Sequence, residues 1–496
     1  MARSHWLRGL FLSVLHTTAA VSHHSRLSKV PNVCKSFAEN DGDIVTLMNS
    51  TNYEALRTVN WAWTAWQYPD CILQPANAAE LQSILPVLVQ ANIPFAVRSG
   101  GHSPHPDTGN INGGVLIDLS MMNQLDYNAK TKTVAVGTGL RWEEVYPYLD
   151  QFNVTVVGGR VPAVGVGGLI LGGGLSWLSN LYGLVADNVV NYEVVLANGS
   201  LVNANVKENP DLYWALKGGG SNFGIVTTFT LATYSGYNEI WGSLQLYDIK
   251  YLPQLIEALY EYQLMAENDR LANVEILASG TNTTIEILLT LAYLKPIEQP
   301  SIFEPFFRVN STANITGIQT LTNFVQSYPI PNATTRFDWG VGSSTIGKSL
   351  YQQFANLVVQ PDLIKTIQSV TAGYQSVSFQ PISSHIVKAG QAKNGGNALG
   401  LKPVTQLWTQ VESSWWFPDD DATIRKAQVG LLGQLEAASR NSSSYLPFLF
   451  MNDAGREQDV LRSYGSHNFL RLKAVQQRYD PHSVFQNLLV GAYKLK

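Results

Sequence analysis

The sequence is short of cysteine, of charge and of long apolar runs. Two cysteines in 496 residues can build neither a disulfide-rich scaffold nor a four-cysteine metal site. Charged residues make up only 14%. That excludes a disordered polyelectrolyte, which needs high net charge and few apolar groups. Lys and Arg (33) do not outnumber Asp and Glu (37), and the formal net charge is −4. Such a balance argues against a nucleic-acid partner, because phosphate binding needs a basic face that releases counterions. No segment holds the roughly 18 uninterrupted apolar residues of a membrane span. No G-x-x-x-x-G-K-[ST] run occurs, so a P-loop is excluded, and no internal repeat is visible.

What remains is a chain that is 45% apolar and carries 40 glycines, long enough for two or three domains with a large core. Residues 1–20 read as a secretory signal. Arg3 and Arg8 open it, Gly9 to Leu15 supply the apolar stretch, and Thr18-Ala19-Ala20 the small residues for cleavage. Secretion is also suggested by N-x-S/T sequons at Asn49, Asn153, Asn198, Asn282, Asn310, Asn314, Asn332 and Asn441. In an oxidising compartment Cys34 and Cys71 either pair, pinning the N-terminal segment to the first domain, or remain two buried thiols.

The pattern along the chain divides it. Asn77 and Glu80 have capping-box spacing, and Leu81, Ile84, Leu85, Leu88 and Val89 mark one helical face, with Pro86 predicting a kink or an earlier end. Ile93, Phe95 and Val97 then alternate as a strand. Strands follow at Val115–Leu119 and Thr133–Val136, and a helix near Trp142–Leu149. Asn198-Gly199 signals a hairpin, Pro210–Leu216 a short helix, and Ile225–Leu231 a closing strand. These give a first domain over 66–237. Residues 238–440 mix strand-like runs (Trp241–Tyr247, Ile285–Ala292, Gln406–Trp416) with amphipathic helices (Leu252–Glu267, Ile424–Arg440). The expected class is α+β, with a large antiparallel sheet in this second domain. Residues 441–496 close the chain with a helix at Asn468–Tyr479.

Two glycine-rich loops in one domain suggest backbone laid against an anionic ligand, since consecutive N–H groups form a concavity for phosphate oxygens. The first is Arg98-Ser99-Gly100-Gly101-His102; the second lies within residues 156–175. Gly165-Val166-Gly167-Gly168-Leu169-Ile170 lacks the third glycine of G-x-G-x-x-G, which argues against a Rossmann unit. A purely structural turn remains the competing reading. His102 ends the first loop. His105 is three residues on, but Pro104 intervenes and no Asp, Glu or Cys cluster completes a metal site.

Val97-Arg98-Ser99-Gly100-Gly101-His102-Ser103 resembles the flavin loop of the berberine-bridge-enzyme-like flavoproteins, of the PCMH-type (vanillyl-alcohol-oxidase-like) superfamily. Other runs match in order. They are Val164-Gly165-Val166-Gly167-Gly168 with Gly172-Gly173-Gly174, then Tyr182-Gly183-Leu184 with Asp187-Asn188. Trp214 to Gly220, Asn222 to Thr227, and Arg478-Tyr479-Asp480-Pro481 with Val484-Phe485-Gln486-Asn487 follow. The resemblance is close over about 62–237 and visible over 445–490, and it is nearest to secreted-type fungal members. It implies a two-lobed PCMH-type FAD-binding domain, a substrate domain whose antiparallel sheet is covered by helices, and a C-terminal segment returning to the first domain.

The resemblance further implies FAD held covalently by His102. Arg98, Ser99, Gly100, Gly101 and Ser103 would cradle the pyrophosphate through backbone N–H groups. Gly165, Val166, Gly167 and Gly168 would run past the isoalloxazine, Ile225 and Val226 would line the adenine side, and Asn487 would return to the flavin edge. Gly139, Gly159 and Gly173 complete the expected contact set. Many relatives make a second flavin link through a cysteine where this chain has Val161. A single link is therefore expected, with a lower flavin potential and a more open site.

Hydride loss from a C–H bond usually needs a base for the accompanying proton. Glu412 alternates with Trp408, Gln410, Ser414 and Trp416 on one strand face, where burial between aromatics would raise its pKa; a solvated edge glutamate is the alternative. Asp453 stands in Phe450-Met451-Asn452-Asp453-Ala454, where many relatives have Asn-Tyr. It is either a base or part of a remodelled site. Asp419-Asp420-Asp421 reads as a helix start, and Trp61, Trp63 and Trp66 as packing residues. The expectation is a monomeric FAD-dependent oxidase or dehydrogenase for a small secondary-metabolite substrate, with O₂ as acceptor and no metal. An oligosaccharide or alcohol oxidase, a cyclase in which FAD mainly shapes the pocket, and a non-catalytic flavin glycoprotein are the competitors.

Overall fold

The computed structural model describes residues 29–40, 42–328, 335–393, 395–491 and 493–496. The expected signal segment and the Asn332 sequon lie outside them. Three sheets organise the chain. In the first, strands Val45–Leu47, Cys71–Leu73, Val115–Asp118 and Phe95–Arg98 lie side by side in that order. The last three run parallel, so each step needs a crossover. One crossover is helix Ala78–Ala91. Asn77 Oδ1 accepts from the Glu80 N–H at 3.0 Å, and Glu80 Oε2 accepts from the Ala76 N–H at 2.8 Å, satisfying donors that the first turn leaves open. Leu81, Ile84, Leu85 and Leu88 are buried against the sheet. Pro86 lies within the helix and does not end it. Asn92 does, in the left-handed conformation at φ 57°.

Beside this lobe, strands Leu125–Asn128, Thr133–Gly137, Ile225–Tyr234, Val189–Val195 and Leu201–Ala204 form an antiparallel sheet, with Thr155–Val156 added to the end of Ile225–Tyr234. The Asn198-Gly199 turn joins its last two strands as expected.

The third sheet has eight strands, in the order Ala313–Gln319, Ile240–Asp248, Ile285–Tyr293, Ala272–Thr281, Tyr374–Ile382, Gln406–Trp415, Arg336–Thr345 and Tyr445–Leu446. Helices Leu252–Met265, Lys348–Val358 and Asp421–Asn441 cover one face, packing on Val274, Ile276, Leu289, Val377 and Val411. The other face looks toward the glycine loops. The chain end closes back onto the first sheet. Asp480 accepts from the N–H groups of Val484 (2.8 Å) and Phe485 (2.9 Å). Phe95 donates its N–H to Leu488 O and accepts from the Val490 N–H, both at 2.9 Å.

Cys34, in helix Val30–Asn40, and Cys71 form a disulfide across 37 positions. A loop of this length is worth about 4 kcal/mol in the chain-entropy account. Reduction is therefore expected to lower the unfolding temperature while leaving the second lobe and the large sheet intact, checked by thermal unfolding with and without reductant. Among the described residues no helix is long and apolar enough to cross a membrane.

Candidate active site

Strand Phe95–Arg98 delivers the first glycine loop. Arg98 is 1% exposed. Its guanidinium pairs with Asp118 at 2.8 Å and bonds Asn60 Oδ1 (3.0 Å) and Leu56 O (2.7 Å). The side chain thus anchors the strand end. Gly101, at φ +65°, turns the chain. Gly100 and Gly165 touch backbone to backbone, and a Cβ on Gly100 would fall 2.4 Å from the Gly165 Cα. Two side chains stitch the loops together. Ser99 Oγ donates to Thr138 O (2.7 Å) and accepts from the Gly167 N–H (3.2 Å). Arg141, which the sequence reading did not single out, donates to Gly100 O at 2.5 Å and to Ala163 O.

The loops leave donors unused. Among the described residues, the backbone N–H groups of Gly100, Gly101, His102 and Ser103 find no acceptor. A Cβ on Gly168 would meet nothing within 4 Å. His102 stacks on Trp61 with ring centroids 4.7 Å apart and planes at 20°. Its Nδ1 is buried without a hydrogen-bond partner. Burial, and then the positive charge of Arg141, push its pKa down to about 4, so the ring is neutral near pH 7.

These loops form one wall of a cavity of about 1110 Å³, and the open face of the eight-stranded sheet forms the other. The cavity gathers Arg98, Ser99, Gly100, Gly101, His102, Ser103, Val161, Gly165, Gly167, Gly168, Ile225, Val226, Glu412 and Asp453. Five expected residues are not among its lining. Gly139 lies against Leu119 O, where a Cβ would come within 2.1 Å, and Gly159 against the Trp142 indole, at 2.6 Å. Val166 is buried at the start of helix Val166–Leu171. Gly173 sits at φ +113° near Leu399 and Phe450. Asn487 is exposed at the end of helix Val484–Asn487, and Phe485 and Leu489 line the cavity instead.

Glu412 and Glu275 stand on the sheet wall, Glu286 stands farther along it, and Asp453 joins them from a turn after strand Tyr445–Leu446. Glu412 stands opposite Ser376 on one side and Trp339 on the other, and accepts from Ser376 Oγ at 3.1 Å. Burial raises its pKa to about 7, with help from the negative charges of Asp453 and Glu275. Asp453 accepts from Gln380 Nε2 at 2.8 Å. Burial raises it to about 6 against that bond and the Arg160 charge. Glu275 accepts from Ser378 Oγ (3.0 Å) and Tyr328 OH (3.3 Å), and lies 3.5 Å from Arg160. Arg160 also bonds Gln380. Burial keeps the Tyr328 and Tyr374 phenols well above their ordinary range.

Sequence reasoning missed Glu275, Arg160, Tyr328 and Trp339. Trp61, read as packing, faces the cavity beside His102; Trp63 does pack, edge-on against Trp416. Asp421 opens a helix as expected and pairs with Arg336. No metal-holding group of His, Cys, Asp and Glu occurs among the described residues.

Residues 69–205 match the family described as FAD binding domain. An FAD-dependent monooxygenase of Arthrobotrys oligospora is 37% identical over 466 residues, covering 91% of this chain and 87% of that protein. The chain belongs to the berberine-bridge-enzyme-like FAD-linked oxidoreductases. The bifunctional solanapyrone synthase of Alternaria solani is also similar, at 35% identity over 459 residues, 92% of this chain and 85% of that one. The xylooligosaccharide oxidase of Myceliophthora thermophila shares the fold with a TM-score of 0.75 at 22% identity, covering 93% of this chain and 98% of that chain. The oxidoreductase has the expected α+β class and PCMH-type architecture.

The residues fit FAD. The free N–H groups suit a pyrophosphate, the Gly168 gap leaves room at the loop, and the unpartnered His102 nitrogen faces no competing donor. A second, cysteine-based link has no candidate residue, because Val161 stands at the expected position and both cysteines of the sequence are joined to each other.

Proposed function

We propose that this FAD-dependent oxidoreductase removes a proton and a hydride from a small organic, secondary-metabolite-type substrate, with FAD linked once, through His102, and O₂ as final acceptor. When bound, FAD supplies the hydride-accepting centre. The chain does the rest. His102, neutral and stacked on Trp61, anchors and orients the cofactor; the N–H groups of Gly100 to Ser103 hold the pyrophosphate. Glu412 takes the substrate proton at Oε1 or Oε2, with Ser376 fixing its orientation. Burial, with the negative charges of Asp453 and Glu275 added, keeps Glu412 poised near neutrality by opposing its ionisation. Residues 66–237 with 441–496 form the cofactor-binding part, and residues 238–440 the substrate part.

The observation that carries this reading is a neutral imidazole with an unpartnered buried nitrogen, sharing one cavity with a carboxylic acid whose pKa lies near 7. The test is anaerobic mixing of the purified yellow protein with candidate alcohols, phenols and sugars, followed by air. Bleaching by a secondary-metabolite-type alcohol or phenol, with stoichiometric peroxide on reoxidation, is expected. Bleaching by oligosaccharides alone would reassign the substrate. Turnover at full rate by chemically reduced, oxygen-free protein would instead favour a cyclase.

Secretion is part of the proposal. Asn49, Asn153, Asn198, Asn310, Asn314 and Asn441 are exposed, as glycan attachment requires. The disulfide suits an oxidising compartment.

A further inference from the structure

The sheet wall of the cavity is divided by chemistry along its strand order. Ala313, Leu246, Leu288 and Leu277 stand directly opposite one another in one row, which continues into Ser378 and Gln410. In the next row Ile315 faces Leu244, and the line continues through Thr290 to Glu275. Residues directly opposite share a face of the sheet. The half nearest Glu412 is therefore polar. The half toward the outer edge strand is leucine and isoleucine, flanked on one side by Ser279 and Glu286.

This apolar half is not core. The alternate positions of the same strands, such as Ile276, Ile287 and Leu289, are the ones sealed under the helices. Leu246 is 37% exposed and Ile315 71% exposed. A sheet face turned to water ordinarily carries polar side chains, and an uncovered apolar patch marks a binding surface. Here the patch is one continuous surface with the candidate active site, because the same cavity is lined by Glu412, Asp453, Leu244, Leu246, Leu277 and Ile315. Strands lie about 4.8 Å apart, which puts Leu277 about 10 Å, and Leu246 about 19 Å, across the sheet from the Glu412 strand.

We infer that the substrate is amphipathic, with a polar head reacting at Glu412 and an aliphatic chain laid across Leu277, Leu288, Leu244, Leu246 and Ile315. The inference rests on the reading of this cavity as the oxidation site. An oligosaccharide does not suit this half of the wall. Leu277, Leu288, Leu244, Leu246 and Ile315 offer neither an aromatic platform nor a hydrogen-bonding side chain, the polar groups there being confined to its margin at Ser279, Glu286 and Asn314. A hydroxylated chain would lose its water over the leucines without replacement.

The test uses the flavin-loaded protein and a series of 4-alkylphenols from ethyl to octyl, with cellotetraose for comparison, and reads dissociation constants by tryptophan fluorescence. Affinity is expected to rise about fourfold for each added methylene, and cellotetraose to show no comparable binding. The double variant Leu246→Glu, Ile315→Glu is expected to flatten the upper half of the series. Leu264→Glu, at an exposed apolar position on helix Leu252–Met265, is expected to leave it unchanged. A flat series in the wild-type protein overturns the inference. So does a wild-type dimer that the double variant turns monomeric, since a second copy would then cover this face. A protein that takes up no flavin but keeps the chain-length dependence would defeat the oxidation-site reading and leave the amphipathic ligand standing.

Discussion

His102→Ala is expected to give a chain that loses all its yellow colour on denaturation, whereas the wild-type colour stays with the peptide containing residue 102. The expectation follows from the state of the imidazole. A histidine held as a cation has no lone pair to offer, but burial and the Arg141 charge bring this ring to about 4, so it is neutral at pH 6–8. Its buried Nδ1 donates to nothing and accepts from nothing. Leaving such an atom unmatched costs about 1–3 kcal/mol, a cost that a covalent bond at this nitrogen removes. The direction with pH is also set. Attachment should proceed unchanged from pH 8 down to about 5 and fail as pH falls through about 4, where the ring takes up a proton. Peptide mapping after acid precipitation measures both results. Colour that persists in the variant would place the anchor elsewhere, and no cysteine is free to serve.

How much of this was legible from sequence depended on range. The Asn77–Glu80 cap, the Asn198-Gly199 hairpin and helix Pro210–Leu216 were readable because their causes lie within a few residues. The glycine loops were readable as places of close approach. What approaches them was not. Gly100 accommodates Gly165, Gly159 the Trp142 indole and Gly139 the Leu119 carbonyl, so three glycines assigned to a ligand are at least partly spoken for by the protein itself. Strands Ala272–Thr281, Arg336–Thr345 and Tyr374–Ile382 went unread. Their period of two is present, as in Val274, Ile276 and Ala278 against Glu275, Leu277 and Ser279. The cavity face, however, mixes acid, leucine and serine, so neither face looks simply apolar or simply polar. Glu275 and Arg160 were hidden for a further reason: the groups they meet (Tyr328, Ser378 and Arg160 for Glu275, Glu275 and Gln380 for Arg160) are all distant in sequence. Asn487 was placed inward by its motif. In the folded chain the short helix that Asp480 caps turns Phe485 toward the cavity and leaves Asn487 in water.

Glu412→Gln is expected to lower kcat by roughly 10²–10⁴-fold, the contribution of a positioned general base, and at the same time to stabilise the protein at pH 8. Both follow from one raised pKa. Burial, reinforced by the charges of Asp453 and Glu275, moves Glu412 from an ordinary 4.5 to about 7. The base works only when ionised, so the wild-type rate should climb as pH rises through about 7 and level off above it. Stability runs the other way. The folded protein holds this proton more tightly than the unfolded chain does. The stability linked to it is complete below about 4.5 and is lost as pH rises to about 7, on the order of 3 kcal/mol in all. Glutamine keeps the shape and the Ser376 bond and never ionises, so the variant escapes that loss. A residue with a merely structural role would show the opposite pattern, lower stability with an unmoved pH profile. Asp453→Asn removes a negative charge beside Glu412 and is expected to shift the rate limb below pH 7 without abolishing it. Rate–pH profiles and thermal unfolding of the two variants at pH 5 and 8 check this. If Asp453→Asn abolished the limb and Glu412→Gln merely moved it, the proton would leave the substrate for Asp453, and the sheet glutamate would be the group that tunes it.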